Sequence, residues 1–189
     1  ILQRLPATLE LAFSALIIAV VIGVPLGLFA GLYPRHPVSR LLMTGSVVGF
    51  SLPTFWVGLM LIMAFSVSLG WLPASGRGET ARLFGIEWSW LTVDGLRHLV
   101  LPAVNLSLFK LSLVLRLTSA GVREVLPLDF VKFARAKGLS PLRVVLAHVL
   151  RNTLIPLVTV LGLELGSTIA FAVVTESIFA WPGAGKLIL

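Results

Sequence analysis

The chain has 189 residues, of which 57% are hydrophobic and only 12% are charged, and its formal net charge is +7. Soluble domains carry roughly a quarter charged residues, so this composition excludes an ordinary soluble domain. Long charge-free runs instead predict membrane-spanning helices, because about 20 apolar residues cross the hydrocarbon core of a bilayer. The runs lack the alternation of barrel strands. Cysteine is absent, which excludes disulfides and thiolate metal sites within this chain.

The apolar runs predict four spanning helices, over about residues 8–32, 41–70, 98–120 and 152–175. In the first run, Gly23, Gly27 and Gly31 recur every four residues and form a stripe suited to close helix contact. The second run exceeds one straight crossing, and the segment SLPTFW at 51–56 predicts a break within it. The predicted fold class is therefore an all-α polytopic membrane protein.

The charges of the connections predict the orientation of the chain. The connection 33–40 carries Arg35 and Arg40 and no acid, and the segment 116–151 carries seven basic residues against two acids. The connection 71–97 holds three arginines against three acids. Because cytoplasmic connections are enriched in Lys and Arg, the first and third connections are predicted to be cytoplasmic and the second external. The same rule accounts for the positive net charge without a nucleic acid partner.

The third connection, residues 121–151, contains a short amphipathic helix. Within DFVKFARAKGLS (129–140), Phe130, Phe133 and Ala134 continue from Leu126 at helical spacing. Two readings of this helix are open. It either lies in the membrane interface with its cations on anionic lipid, or docks in a groove on a cytoplasmic partner.

The end of this helix and the start of the next are marked by local signals. Lys137 falls in the last turn, where a cation is favoured, and Gly138 follows as a helix stop. Ser140 and Pro141 then predict an N-cap and the first residue of a second helix, which carries the chain back into the membrane.

Lys110 and Glu164 are charged residues predicted to lie near the middle of the bilayer. A charge at that depth costs at least a few kcal/mol unless it is paired or faces water. Our hypothesis is that both face the bundle interior and either pair or line the translocation path. The alternative is that each meets water or a partner protein separately. Glu10 lies near the external end of its span and is expected to reach headgroup water.

The segment TESIFAWPGAGK (175–186) is predicted to be external, and Trp181, Pro182 and Gly183 predict a turn in it. Its tryptophan suits anchoring at the membrane interface. The alternative is a functional element on the external side of the membrane. Glu176 and Trp181 are the residues that test this alternative.

Several ordered motifs resemble those of the permease subunits of bacterial ABC importers, and in particular the dipeptide/oligopeptide/nickel branch of the binding-protein-dependent permeases. The resemblance rests on DFVKFARAKGLSPLRVVLAHVLRNTLIPLVTVLGLELG (129–166) and AVVTESIFAWPGAGKL (172–187). The stretches RLPATLELAF, SLPTFWVGL and HLVLPAVNLSL match the branch in the same order. The resemblance therefore covers essentially the whole chain.

This resemblance implies a type I ABC importer transmembrane domain in the bacterial inner membrane, with residues 1–189 as its core and further spans on both sides. It also implies that the third connection is the coupling loop, which docks on an ATP-hydrolysing subunit. Phe133 departs from the family pattern, where a smaller or polar residue is expected. The implied coupling residues are Phe130, Phe133, Ala134, Arg135, Ala136, Lys137, Gly138, Leu139, His148, Arg151 and Asn152.

The implied partners are a second homologous permease subunit, two cytoplasmic ATP-binding subunits, an extracytoplasmic solute-binding protein and membrane lipid. The chain has no GxxxxGK[ST] motif, so it is expected to be a transport subunit without a cofactor, with ATP and magnesium bound by the partner. Its three histidines lack the spacing of a metal site. The expected substrates are peptides, with nickel complexes or glutathione as alternatives.

A different class of function remains open from the residues alone. Secondary transporters place broken helices and ionisable groups near the bilayer midplane, as this sequence does at 51–56, Lys110 and Glu164. The alternative prediction is therefore an ion-coupled transporter in which those two charges carry the coupling.

Overall fold

The computed structural model describes residues 4–83 and 85–187, and most of them are helical. The helices are α1 (Leu5–Leu32), α2 (Pro37–Ser51), α3 (Thr54–Leu61), α4 (Val93–Val125), α5 (Asp129–Ala136), α6 (Pro141–Arg143) and α7 (Arg151–Ile178). The π-helical segments Ile62–Ser68 and Val144–Leu150 extend α3 and join α6 to α7. A short antiparallel hairpin of β1 (Ala81–Leu83) and β2 (Ile86–Trp88) pairs Ala81 with Trp88 and Leu83 with Ile86.

Three helical stretches have the length and apolar composition needed to cross a membrane: Leu5–Leu32, Val93–Val125 and Pro141–Ile169. A fourth crossing is available if Pro37–Ser51 and Thr54–Ser68 are counted as one bent span. The prediction of an all-α, multi-pass membrane protein is confirmed, with the short hairpin as its β structure.

The second predicted span is divided at its proline. The helices on the two sides of the division differ in direction by 104°. Pro53 precedes α3 in an extended conformation, with φ −62° and ψ 129°. A proline disfavours helical dihedrals in the residue before it and has no N–H to continue the helix. The predicted break within 51–56 is therefore present, and residues 41–70 do not form one straight helix.

The described residues fall into two compact units, and α1, α4 and α7 each contribute to both. The first unit combines the residues up to 18, Ser51–Lys110 and the residues from 164 onward. Its apolar core consists of residues spaced three or four apart on α1 and α4, together with one residue of α7 and one from the segment after α7. They are Ala7, Leu11, Ala15, Leu99, Ala103, Leu106, Ala172 and Trp181.

The second unit, Ala19–Phe50 with Leu111–Leu163, contains the predicted glycine stripe. A Cβ atom added at Gly27 would lie 2.6 Å from the carbonyl oxygen of Leu115. A Cβ atom added at Gly23 would lie 2.8 Å from the Val114 side chain, and one added at Gly31 would lie 2.6 Å from the Val122 side chain. The three glycines therefore let α1 and α4 approach at backbone distance, which confirms the predicted close helix contact.

Candidate functional site

The aliphatic side of helix α5 packs against other elements of the second unit. Val131 and Ala134 are buried, three residues apart on one side of the helix. They pack in a cluster with Val122 of α4 and with Val144 and Val149 of the π-helical segment before α7. The helix is therefore fixed to the start of the stretch that returns to the membrane.

The aromatic side of α5 faces outward. Phe130 and Phe133 keep 40% and 62% of their surface exposed. The sequence predicted that both share the stripe of Ala134. Because Val131 is the residue buried with Ala134, the two phenylalanines instead lie on the neighbouring, outward side. The ammonium of Lys137 lies 4.6 Å from the centre of the Phe133 ring, a cation–π contact at the edge of the exposed surface.

A tight turn at Gly138 ends α5 in the predicted position. Gly138 has a φ of +74°, which an L side chain rarely adopts. Its N–H donates to the carbonyl oxygen of Arg135 at 2.9 Å, and the N–H of Leu139 donates to that of Ala134 at 3.4 Å. This pair of bonds is the Schellman motif, and Leu139 supplies its usual apolar contact by packing against the cluster of Val131 and Ala134.

The return to the membrane begins at Ser140 and Pro141, as predicted, although the Ser140 side chain makes no capping hydrogen bond. His148, Arg151 and Asn152 follow on the next turns and line one cleft together with Leu139. The Asn152 amide donates to the carbonyl oxygen of His148 at 2.6 Å. Ala134, one of the predicted coupling residues, is instead buried. The others lie on exposed parts of α5 and its turn or line this cleft. Their role in coupling stays a prediction.

Lys110 and Glu164 form an ion pair within the first unit. The hydroxyl of Ser167 lies 3.0 Å from the Lys110 ammonium and 2.9 Å from a carboxylate oxygen of Glu164. The Lys110 side chain is only 6% exposed, whereas that of Glu164 is 25% exposed. The hypothesis that the two charges pair agrees with this geometry. It also explains how both are tolerated at this depth, since a paired charge avoids most of the penalty of an isolated one.

The segment after α7 folds back on a buried carboxylate. Glu176 accepts a hydrogen bond from the Thr8 hydroxyl at 2.5 Å and one from the Gly185 N–H at 2.9 Å. A Cβ atom at Gly183 would collide with the same carboxylate, so only glycine fits there. Pro182, which lies between Trp181 and Gly183 in the sequence, is exposed. The structure thus brings Thr8 to this element, a contact that sequence reasoning missed.

Two predictions for the external side are wrong. Trp181 was expected at the membrane interface, but its side chain is fully buried and its indole N–H donates to the carbonyl oxygen of Ala7 at 2.9 Å. Glu10 was expected to reach headgroup water, but it is also fully buried. Its carboxylate accepts bonds from the backbone N–H of Ser89 and Trp90 and from the guanidinium of Arg77. Both residues therefore fasten α1 to other parts of the first unit.

The sequence matches the family described as the inner membrane component of binding-protein-dependent transport systems, over residues 23–189. The chain belongs to this family. The resemblance inferred from the motifs is thereby confirmed. Because the family is one of transport-system components, it agrees with the prediction of a transport subunit rather than an enzyme, and it gives no support to the ion-coupled alternative.

Curated relatives narrow the branch within this family. The chain is 46% identical to the di/tripeptide transport system permease protein DppB of Pseudomonas aeruginosa (strain UCBPP-PA14), across 100% of this chain and 60% of that protein. It is 36% identical to the dipeptide transport system permease protein DppB of Escherichia coli (strain K12), across 98% and 59%. It is 39% identical to the oligopeptide transport system permease protein AppB of Bacillus subtilis (strain 168), across 99% and 57%. The chain thus spans less than two thirds of the length of these relatives.

Proposed function

We propose that this chain is part of the permease subunit of an ATP-driven importer in the inner membrane of a bacterium, where it contributes half of the transmembrane pathway. The family match and the relatives named as peptide permeases support this proposal. The observation that carries it is the outward display of Phe130 and Phe133 on a helix whose other side is buried. A helix lying in the membrane interface would bury its aromatic side in lipid and would not need to pack its other side against the protein.

In this proposal, α5 docks in a groove of a cytoplasmic ATP-hydrolysing subunit, with Phe130 and Phe133 as its anchors. Aromatic side chains that fill partner pockets dominate the binding energy of many interfaces. The ammonium of Lys137 lies beside Phe133 and adds a cation at the edge of this surface. Arg135 is exposed as well, on another side of the helix. Two such subunits bind ATP and magnesium, and a second homologous permease subunit forms the other half of the pathway.

In this proposal, the buried contacts of α5 transmit its motion to the spanning stretch. Val131 and Ala134 share one buried cluster with Val144 and Val149, so a displacement of α5 is expected to move the start of the spanning stretch. The Schellman turn at Gly138 fixes the short link between the two. A rigid lever of this kind is what closure of an ATP-hydrolysing subunit needs in order to move a spanning helix.

We further propose that Lys110 and Glu164 border the translocation path. The partial exposure of Glu164 supports this role, because it gives the pair one accessible side. The pairing keeps the site electrically neutral, while the more exposed Glu164 carboxylate can contact a polar solute.

The proposed substrates are di- and oligopeptides, because the relatives above are named as permeases for di/tripeptides, dipeptides and oligopeptides. Nickel complexes and glutathione are the alternatives. An extracytoplasmic solute-binding protein would deliver the substrate at the external side, close to the element formed by Glu176, Trp181, Pro182 and Gly183.

The test is reconstitution of the full-length permease in proteoliposomes with its second permease, its ATPase subunits and its binding protein. We expect uptake of a labelled dipeptide that requires hydrolysable ATP and is lost in Phe130→Asp. Vesicles given a non-hydrolysable ATP analogue are the control. Uptake that persists without ATP and follows an imposed proton gradient would contradict the proposal.

A further inference from the structure

A cleft of about 520 Å³ lies beside the start of the stretch that returns to the membrane, within the second unit. Its lining combines basic and polar side chains with apolar ones. The lining residues are Leu139, Arg143, Ala147, His148, Arg151, Asn152 and Ile155.

Two arginines of the cleft carry positive charge that the described residues do not neutralise. Arg143 and Arg151 are both exposed, and within residues 4–83 and 85–187 neither guanidinium has a carboxylate within ion-pair distance. His148 adds an imidazole that becomes a further cation if protonated. Two guanidiniums in one cleft suit a phosphate group, because each can donate two parallel hydrogen bonds to its oxygens.

Ile155, the lining residue furthest along the chain, is apolar and lies on the spanning helix α7. Ile155 lines the cleft and is exposed, and Val158 is exposed one turn further along α7. Both lie within Pro141–Ile169, the stretch that is apolar enough to cross the membrane. Cations at the interface followed by an apolar flank reproduce the order of a phospholipid, which has a charged head and a hydrocarbon tail.

We propose that this cleft binds the phosphate head group of an anionic phospholipid of the cytoplasmic leaflet. Arg143 and Arg151 contact the phosphate, and an acyl chain runs along Ile155 and Val158. The positive-inside orientation puts the cleft at the leaflet that is rich in anionic lipid, where basic pockets beside spanning helices attract such head groups. An acidic surface of a partner protein is the alternative occupant, and it would contact the two arginines without an acyl chain along Ile155 and Val158.

The test uses the full-length permease in complex with its ATPase subunits, in nanodiscs of phosphatidylcholine with a minority of phosphatidylglycerol. Native mass spectrometry then counts the phosphatidylglycerol retained after mild detergent extraction. We expect the double variant Arg143→Ala/Arg151→Ala to retain about tenfold less of it than the parent. The matched control is Arg35→Ala/Arg40→Ala, which removes the same charge from the other connection predicted to be cytoplasmic and should retain parental amounts.

A photo-crosslinking residue at the exposed cleft position Ala147 identifies the occupant directly. A crosslink to phosphatidylglycerol supports the proposal, whereas a crosslink to the ATPase or to the second permease overturns it. Equal lipid loss in both double variants would also overturn it, since that result indicates general charge attraction. Displacement of the lipid by inorganic phosphate in the parent would assign the cleft to a free anion instead. ATP-dependent uptake of dipeptide is measured with the parent protein as well. If the parent takes up dipeptide, a failure of the lipid proposal is distinguished from a failure of the proposed importer function.

Discussion

Glu10 and Arg77 form a buried ion pair, with 2.7 Å between the carboxylate Oε2 and the guanidinium Nη2. The pair joins the first spanning helix to the connection predicted to be external. Arg77 also donates to the carbonyl oxygen of Glu87 at 2.7 Å and to the hydroxyl of Ser89 at 3.1 Å. One carboxylate on α1 therefore organises the loop around the hairpin.

We expect Arg77→Ala to lower the free energy of unfolding by about 3–5 kcal/mol, because it leaves the buried Glu10 carboxylate without its counter-ion. The measurement is the thermal unfolding of the detergent-solubilised full-length permease. Arg82→Ala is the control, since its pair with Glu87 is long, at 3.7 Å, and solvent-exposed. That variant should stay within about 0.5 kcal/mol of the parent. Equal destabilisation by both would show that the burial of the Glu10 pair has no energetic role.

The pair of Lys110 and Glu164 makes a different prediction, about coupled substitutions. Lys110→Leu leaves a carboxylate alone in the span at a cost of about 2.5–3.5 kcal/mol, and Glu164→Leu leaves an ammonium in the same position. We expect either single variant to lose membrane expression and dipeptide uptake. The double variant Lys110→Leu/Glu164→Leu should recover expression, because no unpaired charge remains. Uptake by the double variant then reports whether the charges also serve the solute: recovery indicates a purely structural pair.

Gly138 allows a backbone effect to be separated from a packing effect. No atom lies within 4 Å of a Cβ built on it, so its positive φ is the constraint on substitution. We expect Gly138→Val to abolish dipeptide-stimulated ATP hydrolysis, because a β-branched residue in this conformation costs about 1–2 kcal/mol or more and shifts the end of α5. Gly138→Asn should retain most of the activity, since asparagine tolerates left-handed dihedrals. Loss of activity in the asparagine variant as well would argue against this explanation.

The two sides of α5 should respond differently to truncation. Val131→Ala removes buried volume from the cluster and is expected to lower thermal stability by roughly 1–3 kcal/mol. Phe133→Ala removes exposed surface, so stability should be preserved while co-purification of the ATPase subunits is reduced. Melting curves and pull-downs on the same two variants give the comparison. A loss of stability in Phe133→Ala with unchanged co-purification of the ATPase subunits would contradict this division of roles.

The glycines of α1 and α2 provide a matched pair for helix packing. In Gly27→Ala the new methyl group would lie 2.6 Å from the Leu115 oxygen and 2.7 Å from the Thr118 Cβ, so we expect a stability loss of about 1–3 kcal/mol. In Gly45→Ala the methyl group meets no atom within 4 Å, and alanine favours the helix. Thermal stability of that variant should be unchanged or slightly higher. Similar losses in both would mean that close approach to α4 is not what requires glycine.

Features decided by neighbouring residues could be predicted from the sequence. The turn at Gly138, the start of the next helix at Pro141 and the break before Pro53 follow from dihedral limits of single residues. The stripe of Gly23, Gly27 and Gly31 was recognisable because its period matches the helix. Counting residues from the external ends of the predicted spans likewise located Lys110 and Glu164 at similar depths, although it left open whether the two side chains meet.

Features decided by distant partners could not be predicted. Glu10 and Trp181 were interpreted from their own chemistry, as a headgroup-seeking acid and an interfacial aromatic. Their partners, Arg77 and the carbonyl oxygen of Ala7, are 67 and 174 residues away along the chain. The position of Glu10 in an otherwise uncharged run, with a neutral external connection nearby, was the available signal for a buried pair. On α5, periodicity found the helix but could not decide between Val131 and the phenylalanines for the buried side.

The bonds around Glu176 join α1 and α7 to the segment that follows α7. The Thr8 hydroxyl donates to the Glu176 carboxylate and accepts from the Ala184 N–H at 2.8 Å, and the other carboxylate oxygen accepts from the Gly185 N–H. These bonds close a ring between α1, α7 and the turn, so opening one leaves a buried polar group without a partner and favours opening of the rest. We therefore expect the backbone at Ala184 and Gly185 to open as one cooperative unit. The amides of Ala184 and Gly185 should exchange their hydrogens at one common opening rate.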